Sequence, residues 1–341
     1  MLRAQSKAAL FPLLAVMLAW QFVHAATVSD LYVAQVPATA LSGPPLDEAF
    51  ALALDQVLVK VTGQRGIAAD ANRRRAIGPP APLVRQYQPM PAGQVRVSFD
   101  PVALRQRLDA ANLPVWADER PLTLVFLPPE PPPGAAAGPG SAGEPARSVR
   151  QLFQATAASR GIPVVLAPDP VAGSRTGAEP LLDPAGVAGA AGADLVLAVG
   201  PLPAGGPAML RWTLARGSDR SEWQGDAVEG AHGLADRLAT RYATTASSGR
   251  VLRLRITGVD SFDAYGRLQA YLRGMGLVQS AELKEIAAGQ LVYEVAVRGD
   301  VRQLDDAFAL RRVLEPAADP AGGDLVYRLV TGAFPGGAER L

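Results

Sequence analysis

The chain is written in short runs. Its 341 residues include 30 prolines and 34 glycines, and these interrupt helix and strand patterns wherever they fall. The patterned segments between them are brief and switch repeatedly between strand and helix periodicity. That points to an α+β protein built from three small domains. Apolar residues make up 49% of the chain and charged residues 19%, enough to build packed cores.

Residues 26–119 read as an N-terminal α+β domain. A first strand spans 31–37. A helix follows, with Leu46, Phe50, Leu54, Val57, Leu58 and Val61 on one face, Asp47 and Glu48 in its first turn and Gly63 at its C-cap. A strand is expected over 95–99, and Asp100-Pro101 then opens a second helix whose buried stripe is Leu104, Leu108 and Ala111. Residues 68–94 read as helical turns and loop.

Residues 120–246 read as a central α/β domain. Its first strand, 121–127, runs into a tract over 128–146 with seven prolines and four glycines, an insertion within the domain. A helix over 147–159 is expected to face inward through Val149, Leu152, Phe153 and Ala157. Strands at 164–167 and 195–199 flank a small-residue helix or turn. Antiparallel strands at 208–215 and 222–226 offer Trp212 and Trp223 as anchors, and a helix over 231–246 carries Leu234, Leu238 and Tyr242.

Residues 247–341 follow a βαββαβ order, the pattern of a ferredoxin-like sandwich. Ser261 caps a helix with Phe262, Tyr265, Leu268, Leu272 and Met275 along one side. Asp300 caps a second helix with Val301, Leu304 and Phe308 inward.

The N-terminus carries an export signal. Arg3 and Lys7 precede an apolar run from Ala8 to Trp20, and Val23-His24-Ala25 fits a small-x-small cleavage site. The run is shorter than the roughly 20 residues a membrane span needs. A signal peptide over 1–25, cleaved after Ala25 or Ala26, therefore predicts a periplasmic protein without stable membrane insertion. No cysteine occurs, so lipid attachment, thiol catalysis and Cys-based metal sites are excluded. Beyond residue 25 there are 31 basic and 32 acidic residues. That balance gives no footprint for nucleic acid or an anionic membrane.

Few residues suggest chemistry. His232 is the one imidazole after the signal segment, with Asp236 four residues on, on the same helical face. A Ser-His-Asp hydrolase would also need an exposed serine, and no Gly-x-Ser-x-Gly elbow is present. Gly186, Gly189 and Gly192 precede a strand instead of following one, so they do not form a dinucleotide loop. No P-loop occurs, and no cofactor is expected. Arg73, Arg74 and Arg75, with Arg85 nearby, form the densest basic cluster. It is read either as a contact for an anion or acidic partner or as a solvated helix face. Trp116 is either a core anchor or, if exposed, a contact. Arg298-Gly299-Asp300 reads as strand end, turn and helix cap.

The stretches Ala53–Gly63, Val95–Pro101, Leu113–Pro121 and Gly192–Gly200 resemble an uncharacterised secreted family of Gram-negative bacteria, domain of unknown function 2066. The resemblance implies a periplasmic setting and brings no catalytic residues. The order of elements in the central part resembles the N-terminal α/β module of TolB. The expected role is a non-catalytic interaction or envelope-maintenance protein with envelope or periplasmic partners. The alternatives are a ligand- or glycan-binding module and a hydrolase using His232.

Overall fold

The computed structural model describes residues 28, 30–128, 148–168, 179–201, 209–246, 249–287, 289–311, 313–317 and 325–330. The proposed signal segment lies outside them, as does the Pro/Gly tract apart from Pro128. Among the described residues there are eight α-helices and three sheets of 3, 5 and 5 strands, an α+β fold. No described helix is long and apolar enough to cross a membrane.

The first sheet contains β1 (Val33–Pro37), β2 (Val84–Met90) and β3 (Gln94–Phe99), antiparallel in the order β1-β3-β2. It packs with α1 (Pro44–Thr62), α2 (Ala71–Ile77) and α3 (Pro101–Ala110). The apolar stripe of α1 buries Phe50, Leu54, Val57, Leu58 and Val61, and β3 turns Val95, Val97 and Phe99 into the same core. Asp100 caps α3 by accepting from the backbone N–H groups of Val102 and Ala103. These bonds, the one from Ala103 foremost, hold its carboxyl below the usual range.

β2 is a strand where the sequence predicts turns and loop. Six of its seven residues are exposed, and Pro89 interrupts it. It exists through main-chain pairing to β3 across the turn at Pro91–Gly93. An edge strand of this kind buries no face and leaves no alternating pattern to read.

The second sheet has the order β5-β4-β6-β7-β8, from β4 (Thr123–Phe126), β5 (Val164–Leu166), β6 (Leu195–Pro201), β7 (Leu210–Arg216) and β8 (Asp219–Gly225). β5, β4 and β6 run parallel, and β7 and β8 are antiparallel additions. One face packs on α4 (Val149–Ser159) and α6 (Ala227–Tyr242), the other on α5 (Pro184–Ala191). Val149, expected to face inward, is exposed, because it is the first residue of α4 and precedes the buried turn at Phe153.

Trp212 and Trp223 sit directly opposite each other on β7 and β8 and stack, and Phe153 also stacks on Trp212. The fully buried Trp212 donates Nε1–H to the Gly225 carbonyl at 3.1 Å. α6 crosses this aromatic layer at close range. A Cβ on Gly230 would lie 2.1 Å from the Trp212 ring.

The third sheet has the order β10-β11-β9-β13-β12. Its strands are β9 (Arg250–Thr257), β10 (Val278–Ala287), β11 (Gln290–Val297), β12 (Leu314–Pro316) and β13 (Leu325–Leu329), with α7 (Phe262–Gly274) and α8 (Val301–Arg311). The run β10-β11-β9-β13 follows the ferredoxin-like order, but β13 is parallel to β9. The short β12 takes the return stroke after α8 and pairs antiparallel with β13, which reverses the last strand. Phe262, assigned to the buried side of α7, is 87% exposed. It is the first helical residue, next to the Ser261 cap, and lies before the helix meets the sheet.

The contact of α6 with Trp212 fixes an outcome. Alanine in an unobstructed helix gains up to about 1 kcal/mol over glycine, so Gly266→Ala in α7, where a Cβ meets nothing within 4 Å, stabilises the protein. Gly230→Ala overpacks the tryptophan layer and loses about 1–3 kcal/mol. Urea unfolding of the two variants measures the opposite signs.

Candidate functional site

The arginines singled out in the sequence do not form a common site. Arg73 pairs with Asp70 at 3.0 Å, Arg74 with Asp55 of α1 at 2.8 Å, and Arg75 reaches Asn72 at 3.5 Å. All three therefore have partners nearby: the Asp70 cap and Gln64 for Arg73, α1 for Arg74 and α2 itself for Arg75. Arg85 is exposed on β2, an element apart from α2. Trp116 is fully buried and acts as a core anchor. Although it precedes the expected boundary at 119/120, its ring lies in the core of the second sheet. The backbone N–H of Trp116 donates to the Val61 carbonyl at 2.7 Å, and neighbouring Val115 forms an antiparallel bridge with Thr244.

Beside Trp116 lies a residue that sequence reading passed over. Arg120 is fully buried, and its guanidinium stacks 3.9 Å from the Trp116 ring. Its donors go to main-chain carbonyls: Nε to Ala117, Nη1 to Arg160 and Gly161, and Nη2 to Lys60 and Trp116, at 2.7–3.3 Å. Lys60 lies in the last turn of α1, and Arg160 and Gly161 follow the end of α4. Two helix C-termini, each carrying partial negative charge, thus converge on one cation. Burial pushes its pKa down to about 9, so it remains charged at neutral pH. The only sequence trace is the Trp-x-x-x-Arg spacing, which carries no general meaning.

A second buried arginine extends the junction. Arg160 Nη2 donates to the Gly63 carbonyl and to Asp236 Oδ1, both at 2.7 Å, and Nη1 lies 3.0 Å from His232 Nδ1. Since guanidinium can only donate, His232 Nδ1 accepts, and the ring proton sits on Nε2. Arg65 adds ion pairs to Asp236 at 2.9 Å and Glu229 at 3.1 Å. The proximity of His232 and Asp236 follows from their helical spacing, but their partners are arginines. Among the described residues no serine hydroxyl bonds to His232. Burial, followed by Arg160 and Arg65, lowers its pKa from the ordinary 6.5. Gly63 caps α1 in the left-handed region, at φ 70°, and a Cβ there would lie 2.3 Å from Ala239 of α6.

The third sheet joins through ion pairs. Arg298 of the Arg-Gly-Asp tripeptide pairs with Asp109, and Asp306 of α8 receives Arg216 at 2.6 Å and Arg241 at 3.1 Å.

Two concave regions stand out. An open polar cleft of about 490 Å3 includes Thr244, Arg250, Asp300 and Gln303. Asp300 and Gln303 are spent on a reciprocal helix cap, and Gln303 Nε2 donates to the Arg241 carbonyl. A smaller cavity of about 130 Å3 lies between the β7–β8 hairpin and the end of α6, with Arg216, Arg220, Arg237 and Arg241 in its lining. Among the described residues no group of three or more His, Cys, Asp or Glu side chains is placed to hold a metal ion.

Two outcomes follow at the junction. Arg120→Leu strands several buried carbonyls and lowers stability by at least about 3 kcal/mol. Arg120→Lys recovers only part, because an ammonium lacks the planar fork; urea midpoints measure both. For His232, a folded pKa below 6.5 means the unfolded chain binds the proton first. Stability therefore falls as pH drops below 6.5 and levels off once the folded ring is protonated. His232→Gln flattens this part of a stability–pH profile.

Comparison with known proteins corrects the resemblance drawn from the sequence. Residues 25–117 match a family described as a domain of unknown function, DUF8605, over about a quarter of the chain. This match replaces the resemblance to domain of unknown function 2066. It covers the first sheet and its helices and ends one residue after Trp116. No curated protein and no solved structure matches, so the likeness of the central part to TolB, which rested on element order alone, has no structural counterpart.

Proposed function

We propose that the chain is an exported, non-catalytic binding protein of the cell envelope. The observation that carries this reading is how the polar groups at the junction are used. His232, Asp236, Arg160 and Arg65, the constellation best suited to acid–base chemistry, bond to one another and to the Gly63 carbonyl. The imidazole nitrogen that would accept a proton in catalysis faces a guanidinium. These groups hold elements together. The export motif, with Arg3, Lys7 and the apolar run before Ala25, supports the periplasmic setting.

Between a protein-contact role and a ligand-binding role, the cavity lined by Arg216, Arg220, Arg237 and Arg241 favours the second. Guanidiniums in its lining are groups that recognise anions.

The test is complementation in a deletion strain of the parent bacterium. The His232→Ala chain restores the wild-type phenotype, and a chain lacking residues 1–25 does not. N-terminal sequencing of the periplasmic protein gives a start at Ala26 or Thr27. Loss of rescue by a folded His232→Ala protein, or an intact chain in the cytosol, overturns the reading.

A further inference from the structure

We propose that the third sheet, with α7 and α8, is a latched arm: carboxylate–guanidinium ties hold it against the first two sheets, and it swings away as a rigid body when they break. The inference goes beyond the binding reading and does not depend on it.

The apolar cores define the moving part. Among the described residues, the core under the third sheet draws only on positions from 252 to 329, and the first core only on positions from 28 to 115. Leu310 of α8 is the one residue of the third unit in the core of the second sheet. A unit with a core of its own keeps its fold when it moves. The first two units are joined differently, through the fully buried Trp116 and Arg120 at their boundary.

The ties to the third unit are polar and leave from one short stretch, residues 298–306. Arg298 meets Asp109 of α3 with both terminal nitrogens, one on each carboxylate oxygen. Asp306 gives one oxygen to Arg216, at the end of β7, at 2.6 Å and the other to Arg241, in the last turn of α6, at 3.1 Å. Gln303 Nε2 donates to the Arg241 carbonyl at 3.1 Å.

Where the main chains approach, the groups are small. A Cβ on Gly276 would lie 2.8 Å from the Ala117 Cβ, and one on Gly299 2.8 Å from Thr244 Cγ2. Such contacts define the closed position but bury little apolar area, so they add little to its stability. The polar cleft of about 490 Å3 lies at the same boundary, with Thr244 on one side and Arg250, Gly299 and Asp300 on the other. The surfaces are already apart there.

Polar boundaries of this kind permit relative motion of domains. A forked pair fixes orientation only while it is made. Removing a carboxylate leaves its guanidinium partners without counter-charge at the closed boundary, and water solvates them better once the arm has moved. Asp306 is the central element of the latch, because its loss strands two arginines together.

The experiment is a pulsed electron–electron distance measurement on the full chain. It has no cysteine, so spin labels attach only where cysteines are placed. Exposed Gln224 on β8 and Ser280 on β10 report on the arm, and Gln56 on α1 with Gln224 serves as the control pair. Gln224→Cys/Ser280→Cys gives one narrow distance distribution. Adding Asp306→Asn and Asp109→Asn produces a second, longer population and raises the ratio of open to closed arm about tenfold or more. The control pair keeps its single distance. Arg241→Gln, at a half-exposed partner, shifts the ratio in the same direction by less.

An unchanged distribution in the folded double variant, a split distribution already present without it, or equal broadening of the control pair overturns the proposal. Circular dichroism checks folding. If the double variant does not fold, Arg241→Gln decides, and an unchanged distribution there overturns the latch.

Discussion

The arrangement of the first two sheets depends on one buried cation. The Arg120 guanidinium sits where α1 and α4 both end, and it takes up carbonyls that the helices leave unpaired. Helix C-termini repel one another through like partial charges. Bringing two together in a dry interior needs a cation that can donate in several directions at once. Arginine meets that need without a carboxylate partner, and the Trp116 face covers the side of the guanidinium that no carbonyl reaches. Arg160 repeats the device one step outward, joining the Gly63 carbonyl at the end of α1 to Asp236 on α6.

α6 transmits this arrangement to the cavity. Its first half crosses the tryptophan pair with Gly230 against Trp212, its middle carries His232 and Asp236 to the arginine junction, and its end supplies Arg237, Arg241 and Tyr242 to the cavity. The chain then continues into the Val115–Thr244 bridge. Asp306 of α8 clamps Arg216 and Arg241, so the third sheet helps set the cavity wall.

Much of the fold was legible because burial leaves periodic traces. The stripe of α1, the Asp100-Pro101 start of α3, the alternation of β3 and the paired β7 and β8 were all readable, since each buries one face. β2 was not, because an exposed edge strand is defined by main-chain pairing, which any sequence without conformational conflict satisfies. The ends of α4 and α7 were misjudged at Val149 and Phe262 for a related reason. Helical spacing places a residue on a face but does not say how far the neighbouring layer extends.

The sequence by itself determined the secondary-structure rhythm, the absence of thiol chemistry and the adjacency of His232 to Asp236, all properties of composition or of spacing along one element. Tertiary structure alone decided what those residues touch. It turned the Arg73–Arg75 cluster into separate surface pairs and put Trp116 into the core of the second sheet. It also surrounded His232 with arginines and drew Arg216, Ser221, Arg237 and Tyr242 around one cavity. The physical reason is that hydrogen bonds and charge interactions act over a few ångströms of space. Which donors fall within that range is fixed by how sheets and helices pack, and the local pattern of the chain does not encode it.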